Sequence, residues 1–266
     1  MEKQIGEILK TDLTDEQKLT LINVIISPKK KEEVKEEKSD EIVELKDNII
    51  WYYKMVNGKK VIHRENGPAM IYMGLSARED YYYEDKLHRD GDYPAVISDG
   101  GKYKIYYKHN IMTREGDKPS KYSYGEVTYT NSKGQIHREN GPAIIMADGT
   151  EKWFFNNKLH RDGDKPAIYN KDMTIVKYYK NGDCHRDGDM PAIFDKDGST
   201  YYYKNGKLHR DGDNPAIIGG NGTQSYYKDN QLHRDGDKPA IISANGLKIY
   251  YINGIRTKVE YNGITY

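Results

Sequence analysis

His-Arg-Asp opens the catalytic loop of protein kinases, and this chain spells it five times, beginning at His88, His160, His185, His209 and His233. In a kinase that aspartate accepts the proton of the substrate hydroxyl, and it works with a downstream Asn, a glycine-rich loop and an Asp-Phe-Gly. None of these parts accompanies the triplet here. One active site needs one base, so a fivefold triplet without its machinery speaks against phosphoryl transfer.

The same stretch continues as Asp-Gly-Asp, for example Asp90-Gly91-Asp92 and Asp211-Gly212-Asp213. Calcium takes about six to eight oxygen ligands, so two acids per loop suffice only if neighbouring loops share an ion. Calcium at these turns is the alternative; the main reading is no cofactor, with the acids holding a tight turn and pairing with the adjacent Arg. Seven histidines, His63, His88, His137, His160, His185, His209 and His233, stand one repeat apart. Equivalent positions two strands away lie about 10 Å apart, too far for one metal ion to bridge, so each reads as a packed ring donating to a carboxylate or carbonyl. Cys184 adjoins His185, but strand neighbours point to opposite faces, so the two do not form a nucleophile and base. His109 occupies a turn position and reads as structural variation. No catalytic residue is assigned.

The elements that carry these residues repeat. Laid over its His-Arg step, the chain shows eight units spaced 23 to 25 residues apart, from His63-Arg64 to His233-Arg234. Five units read HRDGDxPA and two read HRENGPA, while the third reads TREGDKPS, with Thr113 in place of His. Eight of the nine prolines share one station: Pro68, Pro94, Pro119, Pro142, Pro166, Pro191, Pro215 and Pro239. A proline at a fixed station interrupts a ladder, which places this segment at a bulge, corner or edge. Upstream lies an aromatic run, such as Tyr201-Tyr202-Tyr203, then a two-residue turn such as Asn205-Gly206, of the type that accepts positive φ in a type I′ hairpin. Downstream, PAII or PAVI forms a second apolar run that ends in Asp-Gly or Asn-Gly.

Of the 266 residues, 36% are hydrophobic and 31% charged, and 25 Tyr stand against 3 Phe. Tyrosine suits a thin sheet whose side chains are half wet, because its ring packs while its hydroxyl reaches water. With 42 basic and 41 acidic residues there is no global field for nucleic acid, and no nucleic-acid partner is expected. One cysteine fits a reducing compartment, and the N-terminus lacks an apolar signal core, so the expected setting is intracellular or the interior of a virion.

Residues 1–28 read as a helical segment with an apolar stripe that includes Leu19, Ile22, Ile25 and Ile26. Residues 29–47, dense in Lys and Glu, read as a charged linker, and 48–266 as the repeat domain.

The pattern Tyr203-Lys204-Asn205-Gly206-Lys207-Leu208-His209, followed by Ala216-Ile217-Ile218 and Asn221-Gly222, resembles the MORN repeat, and the resemblance covers roughly residues 49 to 258. HRDGDxPA replaces the Gly-x-Gly that MORN repeats carry after the His, and Tyr replaces their Trp or Phe. The HRExGPA form is closer to repeat proteins of large DNA viruses and phages. The resemblance implies an antiparallel β-hairpin array used as a scaffold, with membrane or protein contacts and no shared catalytic residue.

The expected fold is therefore all-β, an array of about sixteen short strands, with a four-bladed propeller as the alternative closure. The expected function is a non-catalytic scaffold that meets a protein partner or a second copy through the N-terminal helices. The alternative is a module for carbohydrate or lipid headgroups that uses tyrosines such as Tyr201 and Tyr203.

Overall fold

A computed structural model of the chain describes residues 41–74 and 77–265, together with Lys18. The helical segment 1–28, with Leu19, Ile22, Ile25 and Ile26, lies outside the described residues apart from Lys18, as does the linker up to residue 40. From residue 41 onward the described chain is all-β except for a 3-10 turn at Asp99–Gly101. It divides into two units, Met1–Val127 with Ser132–Gly134, and Thr128–Asn131 with Gln135–Tyr266.

The first unit begins earlier than the sequence suggested. Strand Ile42–Lys46 lies in the stretch assigned to the charged linker, and it pairs antiparallel with Ile49–Val56 across a turn in which Asp47 and Asn48 take φ of 52° and 60°. The alternation of Ile42, Glu44 and Lys46 with Val43 and Leu45 had been masked by the run of charge upstream. From there the ladder meanders through Met70–Tyr72, Arg78–Asp80, Val96–Ser98, Tyr103–Ile105 and Lys121–Ser123, each strand antiparallel to the one before.

In the second unit the ladder runs from Ile144–Ile145 through Glu151–Lys152, Ile168–Tyr169, Val176–Lys177, Ile193–Phe194, Thr200–Tyr201, Ile217–Ile218, Gln224–Ser225 and Ile241–Ile242 to Lys248–Ile252. Ile255–Tyr261 and Ile264–Thr265 complete it. Every consecutive pair is hydrogen-bonded, so the separate four-stranded blades of a propeller do not form within this unit.

Each repeat supplies more strands than the two expected. The aromatic run breaks at its middle residue: Thr200–Tyr201 joins the ladder, while Tyr203–Lys204 turns away to pair with Lys207–Leu208 as a separate hairpin. The turns are those the residue types require, with Asn205 and Gly206 at φ of 51° and 76°, and Asn156 and Asn157 at 48° and 65°. At the break, Tyr202 N–H donates to the carbonyl of Ala216 (2.8 Å), and its own carbonyl accepts from His209 N–H (3.1 Å).

The core is a row of small residues. Ala69, Ala95, Ala143, Ala167, Ala192, Ala216 and Ala240 are all 0% exposed, and Ser120 takes the same station in the third unit. Ala192 shows why: its N–H donates to Tyr201 O and its C=O accepts from Tyr178 N–H, both at 2.8 Å, so it is clamped between two strands with no room beyond a methyl. Among the described residues no helix is long and apolar enough to cross a membrane.

Candidate functional site

The His-Arg station is where repeats meet. Each Arg extends over the middle aromatic ring of its own unit: the guanidinium carbon of Arg210 lies 3.7 Å from the Tyr202 ring centroid, that of Arg234 lies 3.7 Å from Tyr226, and that of Arg161 lies 3.8 Å from Trp153. Nη1 donates to the carbonyl of the proline that follows, as from Arg210 to Pro215 O at 3.3 Å. All eight arginines make this bond, at 3.1 to 3.4 Å, with Pro68, Pro94, Pro119, Pro142, Pro166, Pro191, Pro215 and Pro239. The arginine thereby satisfies the proline carbonyl.

Where the preceding loop carries the second Asp of Asp-Gly-Asp, the free edge of the guanidinium reaches back to it, as at Arg114, Arg186, Arg210 and Arg234. Arg210 Nε and Nη2 donate to the two carboxylate oxygens of Asp189 at 2.6 and 2.9 Å, and Arg186 does the same to Asp164 at 2.7 and 2.9 Å. The sequence had paired the Asp-Gly-Asp acids with the adjacent Arg. The structure corrects this, because the second Asp serves the Arg one repeat later. These bonds hold the Asp164 and Asp189 carboxyls below the usual carboxylate range.

Histidine makes the second inter-repeat clamp. The backbone N–H of Asn205 donates to His185 Nδ1 (3.1 Å), which leaves the ring proton on Nε2, where it donates to Asp187 Oδ1 (3.0 Å). His88, His160, His209 and His233 repeat the Nε2 contact with the first Asp of their loops at 2.9 to 3.1 Å. His63 and His137 accept from the turns of the next unit in the same way, at Glu84 and Asn156. The reading of a packed histidine facing a carboxylate holds for these five; in the first unit Glu65 stands 3.8 Å from His63 Nε2, which is buried without a hydrogen-bond partner.

Backbone and turn side chains add to the seam. Asn230 N–H donates to Leu208 O (3.0 Å), while Asn230 Oδ1 accepts from Leu208 N–H (2.7 Å). His109, which replaces an asparagine in its turn, stacks on His88 with ring centroids 4.2 Å apart. Cys184 faces Tyr179 across its hairpin, and burial pushes its thiol up to about 12, so it is no nucleophile at neutral pH.

Between successive loops lie shallow clefts. One of about 440 Å³ is lined by Arg210, Asp213, Tyr227, His233, Arg234 and Lys238. A smaller one, of about 160 Å³, lies between the loops that begin at His160 and His185. The carboxylates around them already serve histidine, lysine and arginine, and among the described residues no group of three or more metal-ligating side chains converges. Tyr201 and Tyr203 are half-buried, in the ladder and in the hairpin respectively.

Sequence reasoning gave the arginine a pairing within its own loop and no role between repeats. Its signal was there, since Arg stands in all eight units while His is lost from the third. Compared with known protein families, curated proteins and solved structures, the chain matches none.

Proposed function

We propose that this chain is a non-catalytic repeat scaffold that mediates protein–protein interaction. The observation that carries the reading is where the recurring polar side chains go. Arg210 is taken up by Tyr202, Pro215 and Asp189, and His185 by Asn205 and Asp187, so the residues whose types suggested chemistry hold one repeat to the next. A histidine whose two ring nitrogens are both engaged has no lone pair to offer a substrate.

The contacts that recruit a partner are then sought where the period fails, and the apolar N-terminal stripe around Leu19, Ile22, Ile25 and Ile26 is the proposed docking element for a protein partner or a second copy. Because Ile42–Lys46 is a strand of the fold, the informative truncation removes residues 1–40 and no more. Light scattering of the full and truncated chains, with affinity recovery of partners from each, is expected to show loss of self-association or of a partner. Unchanged mass and unchanged partners would overturn the docking role.

The carbohydrate or lipid-headgroup alternative draws less support. The ring faces at the middle aromatic station lie under guanidinium groups, and Tyr201 and Tyr203 pack against neighbouring strands.

A further inference from the structure

The Arg-to-Asp clamp is complete at Arg114, Arg186, Arg210 and Arg234, whereas the shorter Glu-Asn-Gly loops before Arg89 and Arg161 carry no second Asp; at Arg89 the position four residues on is Tyr93, and only at Arg161 is it a lysine. Arg234 Nε and Nη2 hold Asp213 at 2.6 and 3.2 Å, and Lys238, four residues on, donates to the same carboxylate at 2.7 Å. In the third repeat Arg114 and Lys118 hold Asp92 of the second with the same three bonds, at 2.6, 3.0 and 2.7 Å. In both, two cations share one carboxylate and keep it far below the usual carboxylate range.

Arg161 and Lys165 have the same spacing and the same surroundings. The guanidinium stacks on Trp153, and Nη1 donates to Pro166 O at 3.2 Å. The acid is missing, because the preceding loop reads Glu139-Asn140-Gly141 and is one residue shorter than Asp-Gly-Asp-x; Glu139 stands at the station of the first Asp, which faces its own histidine. Tyr169 hydrogen-bonds the guanidinium and donates its hydroxyl to Glu151, and at the matching position in the third repeat Tyr122 takes Nη1 of Arg114 and leaves Nε and Nη2 for the acid. Lys165 is exposed. The same stack holds a buried donor without a partner, Nε1 of Trp153.

We propose that the Arg161 and Lys165 pair is a binding site for a carboxylate of a partner protein, an Asp or Glu side chain of an acidic segment that takes the place left by the missing loop aspartate. The neighbouring repeats display the ligand: a planar carboxylate, bidentate on Nε and Nη2, with an ammonium on one oxygen. The inference rests on the reading of the chain as an interaction scaffold and names the chemistry of one contact.

The test is fluorescence anisotropy with a labelled hexaglutamate peptide on the full chain, with hexaglutamine and a phosphoserine peptide of equal length beside it. Hexaglutamate is expected to bind, hexaglutamine not, with Lys165→Gln weakening binding about fivefold and Lys196→Gln having no effect. Replacing 139–141 by the chain's own loop 211–214 supplies the acid internally and is expected to abolish binding with melting temperature kept or raised. Equal binding by the loop graft, no preference for glutamate over glutamine, or tighter binding of the phosphopeptide would overturn the proposal. A failure here that leaves the effect of removing residues 1–40 intact strikes this site alone, whereas loss of both strikes the scaffold reading.

Discussion

Arg210 and Asp189 lie 21 residues apart and in different repeats, yet they form a two-pronged ion pair with both N–O distances under 3 Å, while the same guanidinium covers the ring of Tyr202. One side chain thus joins its own strand break, its own proline loop and the loop before it.

Replacing that side chain tests the seam. Arg210→Lys keeps the charge but loses the planar fork and the stack, and is expected to cost about 2 kcal/mol. Asp189→Asn is expected to cost at most about 1 kcal/mol, since Asp189 is 58% exposed and its pairing is screened. Thermal unfolding of the singles and the double should be non-additive, and hydrogen exchange at Tyr202 should quicken in both. Additive losses would show that the pair is not coupled.

The alanine row sets a size limit. Ala216→Val, at a residue with no exposed surface, is expected to destabilise by about 1–3 kcal/mol through overpacking, whereas Ala216→Ser should be milder because Ser120 already occupies this station. Equal unfolding midpoints for the two variants would contradict the close-packed reading.

His63 makes stability depend on pH. Burial, with Lys54 nearby, lowers its pKa below the ordinary 6.5, and Nδ1 already accepts from Glu84 N–H, so the folded chain favours the neutral ring; Glu65 and Glu84 act in the opposite sense. The unfolded chain binds the proton more readily. Stability from this group is therefore present above pH 6.5 and is lost as pH falls from 6.5 toward the lower folded value. Histidine NMR titration should place His63 below 6.5, and His63→Gln should flatten the slope of stability against pH in that window. A folded value above 6.5 would reverse the sign.

Cys184 should be slow to react. With its thiol pushed up to about 12 by burial, the native chain is expected to resist a thiol reagent at pH 8 that the urea-unfolded chain consumes within minutes. Equal rates in the two states would mean that the hairpin opens freely.

Much of this was legible in the residues. Asn205-Gly206 announced a type I′ turn because few other pairs tolerate positive φ twice, and the structure has that turn. The proline station, the half-wet tyrosines and the packed histidines followed from local chemistry in the same way. The strand Ile42–Lys46 was missed because charge counting outweighed a five-residue alternation.

What the sequence determined alone was the period and the geometry inside it: hairpin, loop, apolar strand, repeated eight times. The tertiary structure decided which repeat each side chain serves. A pairing such as Arg210 with Asp189 spans two units that look alike in sequence, so the acid before and the acid after an arginine are equivalent until the strands are in register. The break at Tyr202 and the carboxylate missing beside Arg161 depend on that register too, because an acid has a place to fill only once its neighbours have been set at a fixed distance.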